Sequence, residues 1–296
     1  MRDPRELSGA WSAFQQHGSA PPSPPLAGVV SRYWWATWDL RGQAPYRQLL
    51  PPTPSVHLTF PTDGPPLLRG VHRRYFHRVL SGAGGVLGVA FRPGTFRRFL
   101  NAPATTLTNR TVPAIDIFGP DLPTIVGSDP PIAGISVPGP PATGLVSDLP
   151  AAGISVSGPP AAGIVGSGPF AAGADAVDVF LADRVSADPV GDEVAAWVEC
   201  ASATPDVRRV DDLAALCGVN VRRLQRLFAD HVGASPKWLL RRFRLQEVTD
   251  TLAAAPGAPV DWAGLAADLG YVDQAHLSRD FAAMFGEPPT TYAARY

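Results

Sequence analysis

Two stretches near the end of the chain repeat one pattern: LAALCGVNVRRLQRLFADHVGASP at residues 213–236 and LAADLGYVDQAHLSRDFAAMFGEPP at residues 265–289. Leu224 and Phe228 of the first stretch recur as Leu277 and Phe281 in the second, displaced by 53 positions. Each stretch contains a short segment of helical periodicity, a glycine and a second such segment. This arrangement predicts two helix-turn-helix units.

A single long helix is predicted between the two units. Pro236 stands at its first turn, its outer face is basic, and Pro256–Gly257 ends it after Ala255. Two units fixed to one rigid helix could enter successive major-groove segments of a DNA duplex, which lie roughly 34 Å apart. The fold class predicted for residues 205–296 is therefore all-α.

The second helix of the first unit has two different faces. Val221, Leu224, Leu227 and Phe228 form its apolar stripe, and polar side chains occupy the opposite face. Residues 222–244 hold seven basic residues and one acidic residue, Asp230. Such a cluster favours binding to a phosphate backbone, although a solvated helix face is the alternative for any one arginine.

Residues 213–292 resemble the DNA-binding domain of AraC/XylS-type transcriptional regulators. The resemblance rests on the two stretches quoted above, on WLLRRFRL at 238–245, and most specifically on LGY-x-D-x-x-x-L-S-R-x-F-x-x-x-F-G-x-x-P from Leu269 to Pro289. It implies that the bases are read by Arg222, Gln225, Arg226, Gln274, Ala275, His276 and Arg279. Arginine pairs well with guanine and glutamine with adenine.

Other basic residues are expected to contact DNA phosphates, adding affinity but no sequence recognition. These residues are Arg223, Lys237, Arg241, Arg242 and Arg244. The sequence departs from the family at Asp280 and Ala282, where members often carry lysine or another polar residue. We therefore expect the second unit to hold DNA less tightly than the first.

The region before the helical domain divides by composition. Residues 1–25 are predicted to be an arm, 26–119 a β-rich regulatory domain, 120–174 a linker rich in Pro, Gly and Ala, and 175–204 connecting helices. Val56, Leu58 and Phe60 alternate as in a half-buried strand, and residues 85–91 are typical of a buried strand. The complete chain is therefore predicted to be an α+β multidomain protein.

The 120–174 segment contains a loose repeat. Its first copy is PPIAGISVPG at 130–139, and similar sequences follow at 150–158 and 159–168. A segment of this composition buries too little apolar surface to offset its ordering entropy, which favours a linker over a stacked solenoid. It is also acidic: residues 120–204 have a net charge of −9, against +8 for residues 1–119 and zero for residues 205–296.

The 26–119 region is similar to the small β domain found before some AraC-type regulators. The similarity rests on LLPPTPSVHLTF at 49–60 and GVAFRPGTFRRFL at 88–100. The similarity implies that this domain senses a signal or mediates self-association. Its aromatic side chains could line a pocket or an interface, although core packing is favoured; these are Tyr33, Trp34, Trp35 and Trp38. Arg92, Arg97 and Arg98 could receive an anionic effector, although a solvated face is favoured.

No metal site, cofactor or catalytic centre is predicted. The spacing of His57, His72 and His77 is not a recognised metal motif. Cys200 and Cys217 are expected to be small buried hydrophobes, and no thiol before residue 200 is available for alkyl-acceptor chemistry. No nucleophile elbow, phosphate-binding loop or HExxH is present.

The function predicted from the sequence is a bacterial, sequence-specific transcriptional regulator that binds double-stranded DNA. RNA polymerase, a homodimer partner and a small-molecule effector are further partners to be expected. The first twenty residues contain charges and no apolar run, and no membrane span is predicted, so we expect a cytoplasmic protein. The alternative is a protein-interaction module that binds DNA only non-specifically.

Overall fold

A computed structural model describes residues 14–123, 170–255 and 257–294. Its strands are β1 (Gln15–Ala20), β2 (Val30–Leu40), β3 (Tyr46–Leu50), β4 (His57–Pro61), β5 (Leu67–Arg69), β6 (Phe76–Leu80), β7 (Gly82–Phe91) and β8 (Thr111–Pro113). Its helices are α1 (Ile115–Phe118), α2 (Ala171–Ala182), α3 (Pro189–Ala203), α4 (Val210–Leu216), α5 (Val221–Leu227), α6 (Pro236–Ala254), α7 (Trp262–Asp268), α8 (Gln274–Phe285) and α9 (Pro289–Ala293). The predicted α+β architecture is confirmed.

The N-terminal domain is built on an antiparallel sheet with the strand order β1-β2-β7-β4-β5-β8. The two-stranded ribbon β3-β6 covers one face of this sheet. Short helical turns and α2 cover the other face. β7 is therefore buried on both faces, which explains its nearly continuous apolar sequence. Residues 15–20, which the sequence analysis placed in the arm, form the edge strand β1.

Each of the three tryptophans of β2 lies opposite a glycine. Trp34 is the register partner of Gly88, Trp38 of Gly84, and Trp35 of Gly18. A Cβ at Gly88 would lie 2.1 Å from the Trp34 ring, and a Cβ at Gly84 would lie 2.7 Å from the Trp38 ring. The indole rings thus occupy the space that the absent side chains leave, as cross-strand aromatic–glycine pairs do.

The two helices that follow the 120–174 segment belong to different cores. α2 packs on the N-terminal sheet through Val177, Phe180 and Leu181, whereas α3 packs in the C-terminal core through Val194 and Val198. α2 begins at Ala171, inside the segment predicted to be a linker. The repeats of that segment lie outside the described residues.

The C-terminal domain contains the two predicted helix-turn-helix units, α4–α5 and α7–α8, joined by α6. A glycine in the left-handed region ends each unit: Gly233 (φ +81°) follows a turn of π-helix after α5, and Gly286 (φ +87°) follows α8. The sequence predicts the N-cap of α4 at Asp211 or Asp212. The structure places it at Arg209, with both aspartates in the first turn.

Two segments of the N-terminal domain contact α6 and both helix-turn-helix units. The carbonyl oxygen of Arg73 accepts a hydrogen bond from Trp238 Nε1 at 3.0 Å, and the amide of Tyr75 donates to Met284 O at 3.2 Å. Nearby, Thr108 Oγ1 donates to Gly233 O at 2.5 Å. The two units are therefore docked on the N-terminal domain rather than suspended on a free α6.

Alanine at two left-handed glycines should test this docking in the full-length chain. At Gly218 (φ +66°) a Cβ meets no atom within 4 Å, so Gly218→Ala should cost only the backbone strain, about 1 kcal/mol of unfolding free energy. At Gly233 a Cβ would also lie 3.0 Å from Ala104 O across the domain boundary. Gly233→Ala should therefore cost about 2 kcal/mol. Urea denaturation measures the unfolding free energy of both variants. Equal losses in Gly218→Ala and Gly233→Ala would contradict docking of the domains in solution.

Candidate DNA-binding interface

Both helices predicted to read DNA begin at a side-chain cap. Asn220 Oδ1 accepts a hydrogen bond from Arg223 N at 2.8 Å at the start of α5, and Asp273 Oδ1 accepts one from His276 N at 2.6 Å at the start of α8. These bonds satisfy amide groups that a helix N-terminus otherwise leaves unpaired. The caps therefore fix where α5 and α8 begin.

The α5 helix presents its predicted base-reading residues to solvent. Arg222, Gln225 and Arg226 are exposed, whereas Leu224 on the opposite side is completely buried. No hydrogen bond or ion pair engages these three side chains within the described part of the chain. Their donors and acceptors are thus available to another molecule.

The α8 helix presents a less polar surface. Gln274, Ala275 and Arg279 are exposed, but His276 is half-buried, with its ring centroid 5.1 Å from that of Tyr271. Arg279 Nε donates to Ala275 O at 3.2 Å, within its own helix. The structure therefore brings the seven predicted base-reading residues onto two helices, and α5 carries the larger share of exposed polar groups.

The residues predicted to contact phosphates fall into different environments. Lys237 is exposed, and Arg223 lies 3.6 Å from Glu193 with about half of its side chain exposed. Arg244 is half-buried and donates to Arg208 O at 3.2 Å. Arg241 forms a bidentate pair with Asp280, with Nε and Nη2 each 2.9 Å from a carboxylate oxygen. Its charge is therefore already compensated inside the protein.

Arg242 does not fit the predicted phosphate role. The residue is 1% exposed, its Nε donates to Pro52 O at 2.7 Å, and its Nη1 donates to Gln246 Oε1 at 2.7 Å. Its guanidinium also lies 5.1 Å from the centre of the Phe285 ring. Burial lowers its pKa to about 10. A guanidinium enclosed in this way cannot reach a phosphate, and it links the two domains instead.

A signal for this burial is present in the sequence. Leu239, Arg242, Gln246 and Thr249 follow one another at helical spacing along α6, and all four are buried. The prediction of phosphate contacts for Arg241, Arg242 and Arg244 together is wrong for Arg242, because successive helix positions point in different directions. A second residue that the sequence analysis missed is Arg208, whose Nη2 donates to Asp268 O at 2.6 Å and ties the start of the domain to α7.

The three arginines after β7 are all engaged within the protein, two of them with α3. Arg98 pairs with Asp192 of α3 at 2.6 Å, Arg92 pairs with Glu199 of α3, and Arg97 donates to Leu100 O. These three residues are therefore neither a solvated face nor a free anion site.

The expectation for the cysteines also needs correction. Cys200 is exposed, so it is not a buried hydrophobe. Cys217 is half-buried, and burial raises the pKa of its thiol to about 11. A thiol with a raised pKa is a poor nucleophile at neutral pH.

The described residues contain no group of three potential metal ligands. His57 and His72 instead form separate hydrogen bonds, His57 Nε2 with Thr53 Oγ1 at 3.0 Å and His72 Nδ1 with Gly70 O at 2.8 Å. Among the helices that the structure describes, none has the length and apolar character needed to cross a membrane.

Comparison with known proteins identifies two domains. Residues 213–295 match a family model described as a helix-turn-helix domain, and residues 19–113 match a domain of unknown function, DUF6597. No curated protein is similar enough to count as a match.

Solved structures of regulators are also similar to the chain. A probable AraC family transcriptional regulator from Rhodopseudomonas palustris CGA009 is 28% identical, over 35% of this chain and 96% of that chain, with a TM-score of 0.31. ToxT from Vibrio cholerae O395 is 11% identical over 85% of this chain and 93% of that chain, with a TM-score of 0.37. ToxT from Vibrio cholerae O395 bound to (E)-4-(8-methylnaphthalen-1-yl)but-3-enoic acid is 10% identical over 95% of this chain and 99% of that chain, with a TM-score of 0.39.

The repeated units, their capped reading helices and the family match at 213–295 agree with the resemblance drawn from the sequence. Residues 213–295 therefore form a helix-turn-helix domain that resembles those of AraC-type transcriptional regulators, and residues 19–113 before it match a DUF6597 domain.

Proposed function

We propose that the chain binds specific sequences of double-stranded DNA, with α5 and α8 reading successive major-groove segments. The observation that carries the proposal is the exposed set Arg222, Gln225 and Arg226 on α5, which has no partner among the described residues and lies opposite a buried apolar stripe. Arginine can form two hydrogen bonds to guanine O6 and N7, and glutamine two to adenine N6 and N7. On α8 the corresponding readers are Gln274, Ala275, His276 and Arg279, with Ala275 suited to a thymine methyl group.

The two units contribute unequally to affinity in this proposal. Arg223 and Lys237 provide phosphate contacts near the first unit. Near the second unit Arg244 lies 5.5 Å from the centre of the Tyr271 ring, and Asp280 of α8 neutralises Arg241. Because phosphate contacts dominate affinity, the first unit anchors the protein and the second refines its choice of site.

The wider setting of the proposal is control of transcription in the bacterial cytoplasm. RNA polymerase is the proposed protein partner at the promoter, and the N-terminal domain is proposed to carry a signal or to form a homodimer. No catalytic step is part of the proposal. Sedimentation of the full-length chain with its DNA site tests the dimer, which a monomer at concentrations of complete binding would exclude.

Selection of bound sequences from random duplex DNA should separate the two reading helices. The full-length chain should enrich two blocks about one helical turn apart. Arg226→Ala should relax only the first block and Arg279→Ala only the second, each by about 1–3 kcal/mol of discrimination, because each removes a base contact. Arg47→Ala, at an exposed position of β3, is the matched control and should leave both blocks unchanged.

Two results of the selection would contradict the proposal. If the selection enriched a single block that only Arg226→Ala relaxes, α8 would not read bases. It would then have a structural or phosphate-binding role only. No enriched sequence at moderate salt would exclude sequence-specific binding and favour the protein-interaction module.

Removal of the Asp280 charge should strengthen the second unit. In Asp280→Asn, the Arg241 guanidinium is released from a charged partner, so affinity for any DNA should rise and the salt dependence should steepen by about one phosphate contact. The stability cost should stay below about 1 kcal/mol because the side chains of Arg241 and Asp280 are 36% and 27% exposed. Fluorescence anisotropy over a salt series measures the DNA affinity, and urea denaturation measures the stability.

The matched control is Asp268→Asn, which removes the same charge from an exposed position on α7. Its effect on DNA affinity should be smaller than that of Asp280→Asn. Equal shifts in the two variants would mean that only the total charge of the domain matters.

A further inference from the structure

A cavity of about 110 Å³ lies between the sheet and the β3-β6 ribbon of the N-terminal domain. We call it the inter-sheet cavity. Its apolar walls are formed mainly by Trp34, Trp38, Leu50, Phe76 and Val86. An engineered apolar cavity of roughly 150 Å³ holds benzene, so the smaller inter-sheet cavity limits the apolar body of a ligand to one ring at most.

Two arginines bring positive charge to this apolar space. The guanidinium of Arg69 lies 4.1 Å from the centre of the Phe76 ring, and that of Arg78 lies 5.0 Å from the centre of the Trp38 ring. Both residues line the cavity and are half-buried. Within the part of the chain that the structure describes, no carboxylate forms an ion pair with either guanidinium.

One carboxylate acts on the cavity from a distance. Asp63 raises the pKa of Arg78 by its charge, but burial outweighs this effect and the pKa of Arg78 is lowered. Arg69 has no such partner, because burial and the neighbouring Arg78 both lower its pKa, to about 10. Two cations thus share a partly desolvated site without a carboxylate in contact, and both remain charged at neutral pH.

Hydrogen-bond donors at the cavity also lack acceptors. Arg69 Nε and Trp34 Nε1 are buried, and neither has a hydrogen-bond partner among the described residues. Buried donors are nearly always paired in folded proteins, so two unpaired donors on one cavity wall point to an acceptor that binds there. A negatively charged acceptor would satisfy these donors and the charge of the arginines together.

The histidines of the cavity do not add to its charge at neutral pH. Burial, reinforced by nearby cationic groups, lowers the pKa of His57 to about 3. Burial also lowers the pKa of His72. The positive charge of the cavity therefore comes from the two guanidinium groups.

We propose that the inter-sheet cavity binds a small organic anion, with its negative group at Arg69 and Arg78 and its compact apolar body against Trp34 and Trp38. Pockets of this kind are mostly apolar and use a few polar groups to orient the ligand. The guanidinium groups select a negative charge, and the limited volume selects a body of about one ring.

The wall of the cavity is also part of the domain contact. Pro52 lines the inter-sheet cavity, and its carbonyl oxygen accepts the hydrogen bond from Arg242 Nε of α6. A ligand that moves this wall alters a contact to the helix that joins both reading units. Occupancy of the cavity should therefore change DNA affinity, an expectation that rests on the proposed function.

Calorimetry on the full-length chain tests the site without DNA. The probe is cyclohexanecarboxylate, and cyclohexanecarboxamide and inorganic phosphate are the controls. The carboxylate should bind in a saturable way with a Kd below about 1 mM. The neutral amide and phosphate should each bind at least about tenfold more weakly, because one lacks the charge and the other lacks the apolar body. No carboxylate binding, or equal binding by either control, would overturn the proposal.

Variants locate the binding. Arg69→Gln and Arg78→Gln should each weaken carboxylate binding about tenfold or more, whereas Arg47→Gln, exposed on β3 and outside the cavity, should not. Circular dichroism checks that each variant is folded. If Arg69→Gln does not fold, Arg78→Gln alone decides whether the ligand binds in the cavity. Unchanged binding in both cavity variants that fold would place the ligand elsewhere and overturn the assignment.

The effect on DNA is measured last, with the sequence enriched by the wild-type chain. Saturating cyclohexanecarboxylate should change the Kd for that DNA by about fivefold or more, and the DNA should change ligand affinity by the same factor. An unchanged Kd for DNA would show that ligand binding does not alter DNA affinity through the Pro52 contact. The calorimetry would still decide whether the cavity binds the ligand. Failure of sequence-specific DNA binding would leave the calorimetric result valid, so the two failures are distinguishable.

Discussion

The buried guanidinium of Arg242 holds together three parts of the molecule. It extends from α6, lies beside Phe285 at the end of the second helix-turn-helix unit, and donates to the carbonyl oxygen of Pro52 in the N-terminal domain. A buried cation is costly unless its donors are met, so the position of the Pro51–Pro52 segment and the orientation of α6 constrain each other. Because α6 also joins both units, the geometry of the DNA-binding surface depends on a contact outside the DNA-binding domain.

The sheet of the N-terminal domain is arranged around the tryptophans of β2. Trp34 and Trp38 extend toward the β3-β6 ribbon, and glycines on β7 leave room for their rings. The indoles and the ribbon together enclose the inter-sheet cavity instead of filling it. The same face that stabilises the sheet thus provides a cationic space next to the segment that contacts α6.

The two helix-turn-helix units share a backbone pattern but differ in their surface chemistry. Both have a polar side-chain cap on the reading helix and a left-handed glycine after it. On α5 the exposed face carries three arginines and a glutamine, whereas Asp280 of α8 binds Arg241 in an internal ion pair. A duplicated fold can therefore carry two units of unequal charge, because the backbone depends on apolar and glycine positions while affinity depends on exposed charge.

The sequence by itself determined the local elements and the resemblance of residues 213–292 to AraC-type DNA-binding domains. Apolar periodicity, capping residues and glycines act over a few residues, so the two helix-turn-helix units, the long α6 and the β-rich first domain could be predicted. The outward face of α5 followed from the same periodicity. What only the tertiary structure decided is which charges remain free: Arg242 faces another domain, Arg241 meets Asp280 from 39 positions away, and Arg98 meets Asp192 from 94 positions away. Such pairings, and the cavity between β2 and the β3-β6 ribbon, depend on how distant segments pack, which a pattern of local spacing does not contain.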